Sequence, residues 1–280
     1  MKKHETEKLV RSYFSEIHKL LPGLINDFNN TDILEYRKEI KRLKSFFHLL
    51  DMSENGDPVF HVPQKLKTIY GYSGIIRNLH LQLQSLNSYL RTPSEMMLPI
   101  YTSRLKNEIS SWEKTARDFV QANNNYYDDE EKIFEIIPEK IKENSIKKFV
   151  QYISYELQVQ LGRLTNDEVL HNIRKLLEDI YYNIPFVNHY MSMMPEGLRQ
   201  GKEINSFIEQ LSVFRDKCIS VTILKTWYNE SVDTDRLVTE SIIEGWTAQK
   251  NQLKDAIIYR LELIPLKPLV KRLGDIHIRS

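Results

Sequence analysis

The chain has 280 residues, with 39 Lys and Arg against 38 Asp and Glu for a formal net charge of +1. That length suits one large domain or two of roughly 140 residues, and the charge balance argues against a globally basic nucleic-acid protein while leaving room for a local basic surface that attracts a polyanion. A single cysteine, Cys218, excludes an intramolecular disulfide framework and a cysteine-rich metal cluster, and the 41% hydrophobic and 28% charged content describes an ordinary globular chain.

The opening Met1, Lys2, Lys3, His4 and Glu5 include no apolar run of leader length. No later segment approaches the roughly 18 consecutive apolar residues of a membrane span. The expectation is a cytoplasmic location, with neither a standard secretory leader nor a transmembrane segment.

Helical periodicity begins at once. Leu9, Tyr13, Ile17 and Leu20 mark a first helix over residues 5–21. Residues 32–50 place Ile33, Tyr36, Ile40, Leu43, Phe47 and Leu50 at alternating intervals of three and four, one stripe that can face a core, with Arg37, Lys38, Lys41, Arg42 and Lys44 on or beside its edges. Asp32 is the candidate N-cap and Glu35 suits the first turn. A long helix follows from Pro63 through Leu66, Ile69, Ile76, Leu79, Leu83, Leu86 and Leu90. Within it Gly71 and Gly74 either lower helix propensity or permit close backbone approach. Residues 94–122 form the next helix, with Pro99 in its first turns. Four helices in this stretch suggest a bundle.

The polar run at 123–131 breaks the pattern and reads as a solvent-facing connection, since consecutive carboxylates without a defined loop make a poor metal site. Apolar periodicity returns at Phe134 and over 146–161, and helices are expected at 167–184, 201–228 and 233–263. Pro265 and Pro268 end the last of these, leaving Leu269, Val270, Leu273 and Ile276 to pack a short tail over the bundle. The fold class is therefore all-α, with an N-terminal helical bundle over 1–125 and a C-terminal bundle with its tail over 126–280.

One helical plan is used twice. The 32–50 helix corresponds in pattern to the 167–184 helix, with Arg37 and Arg174 in similar phases beside their stripes. Downstream, Arg77 and Asn78 answer to Arg215 and Asp216. The repeated order could relate two similar surfaces by a pseudo-twofold axis.

These residues carry a resemblance to the CHAD family, the conserved histidine α-helical domains. Leu34, Arg37, Lys41, Arg42 and Lys44 follow the family's His-x-x-Arg helix with its trailing basic residues, with leucine in place of the histidine. The second copy keeps His171, Arg174 and Lys175, carries Glu178 and Asp179 at the later basic positions, and ends in Tyr181 and Tyr182. Gly74-x-x-Arg77-Asn78 and Ser212-x-x-Arg215-Asp216 resemble the family's later motif. The resemblance implies two pseudo-repeated four-helix bundles facing each other around a basic groove. It also implies noncatalytic binding of inorganic polyphosphate, with association with polyphosphate granules.

For such a ligand, several guanidinium and ammonium groups must share one concave surface, since Arg bridges two phosphate oxygens and Lys adds a flexible charge. The candidate binding residues are Arg37, Lys38, Lys41, Arg42, Lys44, Arg77, His171, Arg174, Lys175 and Arg215. Alternatives stand beside this assignment. The charged faces could be solvated surface, His171 could serve a structural hydrogen bond, and Arg77 and Arg215 could join helices. Glu178 and Asp179 could repel phosphate, pair with Arg174 or Lys175, or face water. Tyr181 and Tyr182 are candidates for a groove rim, and Lys106, Lys114, Arg117, Lys250 and Lys254 could extend the basic surface.

No His-Glu-x-x-His pair, phosphate loop, kinase signature or dinucleotide fingerprint is present. No catalytic residue, metal ligand or cofactor is assigned. A noncatalytic module is favoured over the alternatives of a phosphate-processing enzyme and of a structural or protein-interaction module that has lost polyphosphate binding. No specific nucleic-acid or membrane interaction is indicated, and oligomeric state is left open.

Overall fold

The computed structural model describes residues 1–52, 58–89, 98–123, 127–164, 166–230 and 236–265. Among them are nine α-helices, namely α1 (Lys3–Asp27), α2 (Asn30–Asp51), α3 (Gln64–Tyr89), α4 (Pro99–Ala122), α5 (Tyr127–Glu135), α6 (Glu143–Leu161), α7 (Asp167–Val187), α8 (Gly201–Glu230) and α9 (Arg236–Glu262). A single antiparallel bridge pairs Lys2 with Lys140, and no strand ladder occurs among the described residues. The fold is all-α, as expected. No helix among these residues is long and apolar enough to cross a membrane.

The stripe that predicts α2 is buried along its whole length, from Ile33 to Leu50. Its cap is Asn29, whose side-chain oxygen accepts from the Asp32 backbone N–H, so Asp32 sits in the first turn instead of capping it. At α7, Asn166 accepts from the Val169 N–H in the same way, and Leu170, Ile173, Leu177 and Ile180 are buried. Both caps stand eight residues ahead of the arginine of their helix, Arg37 or Arg174.

Three segments differ from the periodicity. Helix α1 runs through Pro22 to Asp27 and closes on Phe28, whose φ of 45° is left-handed. That conformation is held by complete burial of the ring and by Arg117, which stacks 5.2 Å from it and donates from Nε to the Ile25 carbonyl. The acidic run is not simply a solvent-facing connection. Its later residues belong to α5, where Glu130 is buried with Oε1 2.5 Å from His18 Nε2 of α1, and Arg11 reaches Glu131. A carboxylate in a helix's first turns opposes the positive end of its dipole, and the α1 partner removes the cost of burying it. After α7 the chain forms two 3₁₀ turns, Asn188–Met193 and Glu196–Leu198, that bury Met191, Met194 and Leu198. The expected starts at 94 and 233 and the tail positions Leu269, Val270, Leu273 and Ile276 lie outside the described residues.

Packing follows a repeated order. Helices α1–α4 contact one another in sequence, as do α6–α9, and the two sets meet where α2 packs on α7 and α3 packs on α8. Helices α2, α3, α8 and α7 thus close an inner ring. One apolar cluster joins α1, α2, α5, α6, α7 and the nearer halves of α3 and α8. A smaller cluster at the far end is built from Leu79, Leu86, Leu98, Tyr101, Leu105, Ile109, Val221, Leu224, Ile242 and Trp246 of α3, α4, α8 and α9.

The two α3 glycines have different reasons to be there. A Cβ on Gly74 would lie 2.5 Å from Arg37 Nη1, whereas one on Gly71 meets nothing within 4 Å. Gly71→Ala is therefore expected to stabilise the protein by about 0.5–1 kcal/mol through helix propensity alone. Gly74→Ala is expected to lose that gain by driving the guanidinium out of place. Paired urea unfolding curves check both, and equal effects at the two positions would contradict the close approach.

Candidate functional site: a cationic junction of four helices

The motif residues converge on the inner ring. From α2, Arg37 reaches across to α3, donating from Nη1 to the Tyr70 carbonyl at 2.6 Å and to Ser73 Oγ at 3.4 Å, with its guanidinium carbon 4.0 Å from the Tyr70 ring centroid. The missing Cβ of Gly74 makes room for it. Burial holds the Arg37 guanidinium below the usual arginine range, and the neighbouring charges of Arg77 and Arg174 push the same way. Three arginines from three helices therefore lie within electrostatic reach of one another.

Carboxylates neutralise part of this charge. Arg77 of α3 makes a two-pronged pair with Asp216 of α8, Nη1 to Oδ1 at 3.0 Å and Nη2 to Oδ2 at 2.8 Å. This is the helix-joining role open to Arg77 in the sequence. Glu178 of α7 takes the pairing with Arg174 that was among its alternatives and adds a partner that was not: Oε1 accepts from Arg174 Nη1 at 2.6 Å and also from Lys41 Nζ of α2 at 2.8 Å. Asp179 turns instead to His48, whose Nδ1 lies 3.0 Å from Oδ2.

The remaining candidate residues divide into two sets. His171 stands one turn before Arg174 and accepts at Nδ1 from Arg174 Nη2 at 3.4 Å, which leaves Nε2 as the protonated donor of a neutral ring. Desolvation, reinforced by the charges of Lys175, Arg174 and Arg215, pushes the His171 pKa down to about 4. Lys175 and Arg215 are exposed and carry no ion pair or hydrogen bond among the described residues. Along α2, Lys38 and Arg42 are exposed and pair within the helix with Glu35 and Glu39, while Lys44 is exposed. The structure thus brings together Arg37, Lys41, Arg77, His171, Arg174, Lys175 and Arg215. Lys38, Arg42 and Lys44 lie on the solvent side of α2.

The other basic positions do not extend this junction. Lys250 and Lys254 of α9 both bind Asp167 in the first turn of α7, and Arg117 serves the α1 terminus and Glu113. Lys106 and Lys114 are exposed on α4. Tyr181 and Tyr182 pack edge to face at 5.7 Å. No group of three or more His, Cys, Asp or Glu that could hold a metal occurs among the described residues.

Beneath the cations, α2 and α7 are joined by a buried polar cluster that the sequence analysis missed. Ser45 Oγ donates to the Asp179 carbonyl at 2.9 Å, and Asn183 Nδ2 donates to the Ser45 carbonyl, Ser45 Oγ and the Asp179 carbonyl. The available signal was the presence of Ser45 and Asn183 among otherwise apolar buried positions.

His171 has a pH consequence. A group whose folded pKa is below its unfolded value binds fewer protons when folded, so stability declines as pH falls from about 6.5 toward about 4. His171→Asn is expected to flatten that part of the pH–stability curve, as followed by urea midpoints. An unchanged curve would mean that His171 titrates normally.

An all-α fold, without strands among the described residues, with a ring of four inner helices and cations at its junction defines a class. No family model matches the sequence, and no curated protein matches it. Among solved structures, the chain resembles the crystal structure of the CHAD domain from the plant Ricinus communis, with a TM-score of 0.71, 13% sequence identity, and coverage of 95% of this chain and 93% of that one. The chain has the fold of a CHAD domain.

Proposed function

We propose that this protein is a noncatalytic module that binds inorganic polyphosphate at the junction of α2, α3, α7 and α8. In this reading the chain is a pair of pseudo-repeated four-helix bundles, 1–125 and 126–280, facing each other around a basic groove. It works in the cytoplasm, at polyphosphate granules. The observation that carries the proposal is the convergence of motif cations from all four inner helices, with Lys175 and Arg215 not neutralised by carboxylates and the neutral His171 ring beside them as a donor.

The repeat accounts for why Arg215 is left over. Arg77 is held by Asp216, but the position that answers to Asp216 in the first copy is Asn78, which has no charge to hold Arg215. A row of phosphates supplies what is lacking, since each oxygen can accept from Arg215, Lys175 or His171 Nε2. Arg37, in contrast, organises α2 against α3 beneath the ligand.

A second reading, a helical interaction module that no longer binds polyphosphate, is favoured by the engagement of Lys41, Arg174 and Arg77 with Glu178 and Asp216. Titration of defined-length polyphosphate, beside length-matched DNA and RNA at several salt concentrations, separates the two. Preferential polyphosphate binding that weakens with salt is the expected result. No binding at low salt would eliminate the polyphosphate reading, and equal affinity for all three would leave only a nonspecific charged surface. Chain length and phosphate release measured in the same samples should stay at buffer level; turnover abolished by substitutions in the junction would overturn the noncatalytic assignment.

A further inference from the structure

Lys41 and Glu178 lie 137 residues apart, the separation that also relates Arg37 to Arg174 and the Asn29 cap to the Asn166 cap. They hold the same position on α2 and α7, one turn after the motif arginine. Residues equivalent under a pseudo-twofold relationship meet only close to its axis, and these two are in contact where α2 packs on α7. Resting on the repeat and on the polyphosphate reading above, we propose that Glu178 is a resident counter-anion that fills the phosphate position between Lys41 and Arg174. Polyphosphate is thereby confined to the outer cations Lys175 and Arg215 and to the Nε2–H donor of His171.

The geometry is that of an occupied anion site. One oxygen, Glu178 Oε1, receives both a lysine ammonium and an arginine guanidinium, as a bridging phosphate oxygen does. Glu178 is only 8% exposed, and its cationic partners come from different helices. The guanidinium is incompletely used, because Arg174 Nε is buried and has no hydrogen-bond partner. A tethered carboxylate competes with a free ligand at high effective concentration, so it need not bind strongly to keep phosphate out. It also places a negative charge where the chain of phosphates would otherwise descend.

A merely structural ion pair and a resident counter-anion differ in what Glu178→Gln does to binding. The amide keeps the shape and removes the charge. Polyphosphate affinity is measured against salt for the wild-type protein, Glu178→Gln and Glu178→Gln with Lys41→Ala. Glu178→Gln should raise affinity at least about tenfold at low salt and steepen the log–log salt dependence by roughly one ion, and the added Lys41→Ala should cancel the gain. In thermal unfolding, Glu178→Gln should be less stable alone yet gain more from polyphosphate than the wild type.

Unchanged or weaker binding by folded Glu178→Gln, beside a wild type that binds, would reject the resident anion and leave the polyphosphate reading standing. No binding by either folded protein would reject both. Binding by the variant alone would support the resident anion and show that it abolishes the wild-type activity. Should Glu178→Gln fail to fold, Glu178→Ala carries the same test through rescue. Tripolyphosphate should raise its Tm more than that of the wild type, and an equal or smaller rise would reject the proposal.

Discussion

Replacing Lys175 and Arg215 together with alanine should weaken polyphosphate binding about a hundredfold at low salt, with each lost contact worth roughly a factor of ten. Stability should change by no more than about 0.5 kcal/mol, because both side chains are exposed and neither is tied to a carboxylate among the described residues. The contrast with Lys38 and Arg42 sharpens the expectation. Those two cations are also exposed, but each is paired with a glutamate of its own helix and lies on the solvent side of α2. Their double alanine variant should bind within about threefold of the wild type, since screened surface charges contribute little. Titration calorimetry on both variants makes the comparison, and equal losses would mean that polyphosphate senses only total charge.

Trp246→Ala should destabilise the protein by about 3–5 kcal/mol, the range for deleting a large buried aromatic. The ring is 1% exposed in the smaller apolar cluster, with Lys217 Nζ 5.2 Å from its centroid. That cluster ties α9 and α4 to the far halves of α3 and α8, the helices that carry Arg77 and Asp216. Loosening it should therefore also slacken the junction and lower polyphosphate affinity. Leu237, on the same helix but 84% exposed, is the control, and Leu237→Ala should fall within about 0.5 kcal/mol of the wild type. A urea-derived loss below about 1 kcal/mol for Trp246→Ala would contradict a packed cluster.

The helices of the inner ring were legible because burial imposes a 3.6-residue period on their apolar positions. Ile33 to Leu50 and Leu170 to Ile180 carry that period clearly, and matched arginines reveal that the two helices answer to each other. Helix α5 was not legible in its first turns. A run of Asn, Tyr, Asp and Glu resembles a connection until His18, 112 residues distant in sequence from Glu130, supplies a partner.

The candidate cations were legible as a set, but their individual roles were not. Arg37 has the same phase as Arg174, yet it turns onto α3, a choice made by the Tyr70 carbonyl and by the space that Gly74 leaves. Glu178 stands three residues from Lys175 and four from Arg174, but its second partner is Lys41 of the other repeat. Local spacing ranks partners on one helix and is silent about a helix that arrives from elsewhere.

The measurement that bears most directly on the central claim is an NMR titration of the labelled protein with defined-length polyphosphate at low salt. Binding at the four-helix junction should shift the resonances of His171, Lys175 and Arg215 first, and should raise the His171 pKa from about 4 as phosphate oxygens approach the ring. Shifts confined to the exposed lysines around the start of α6, Lys140, Lys142, Lys147 and Lys148, with His171 unmoved, would contradict it.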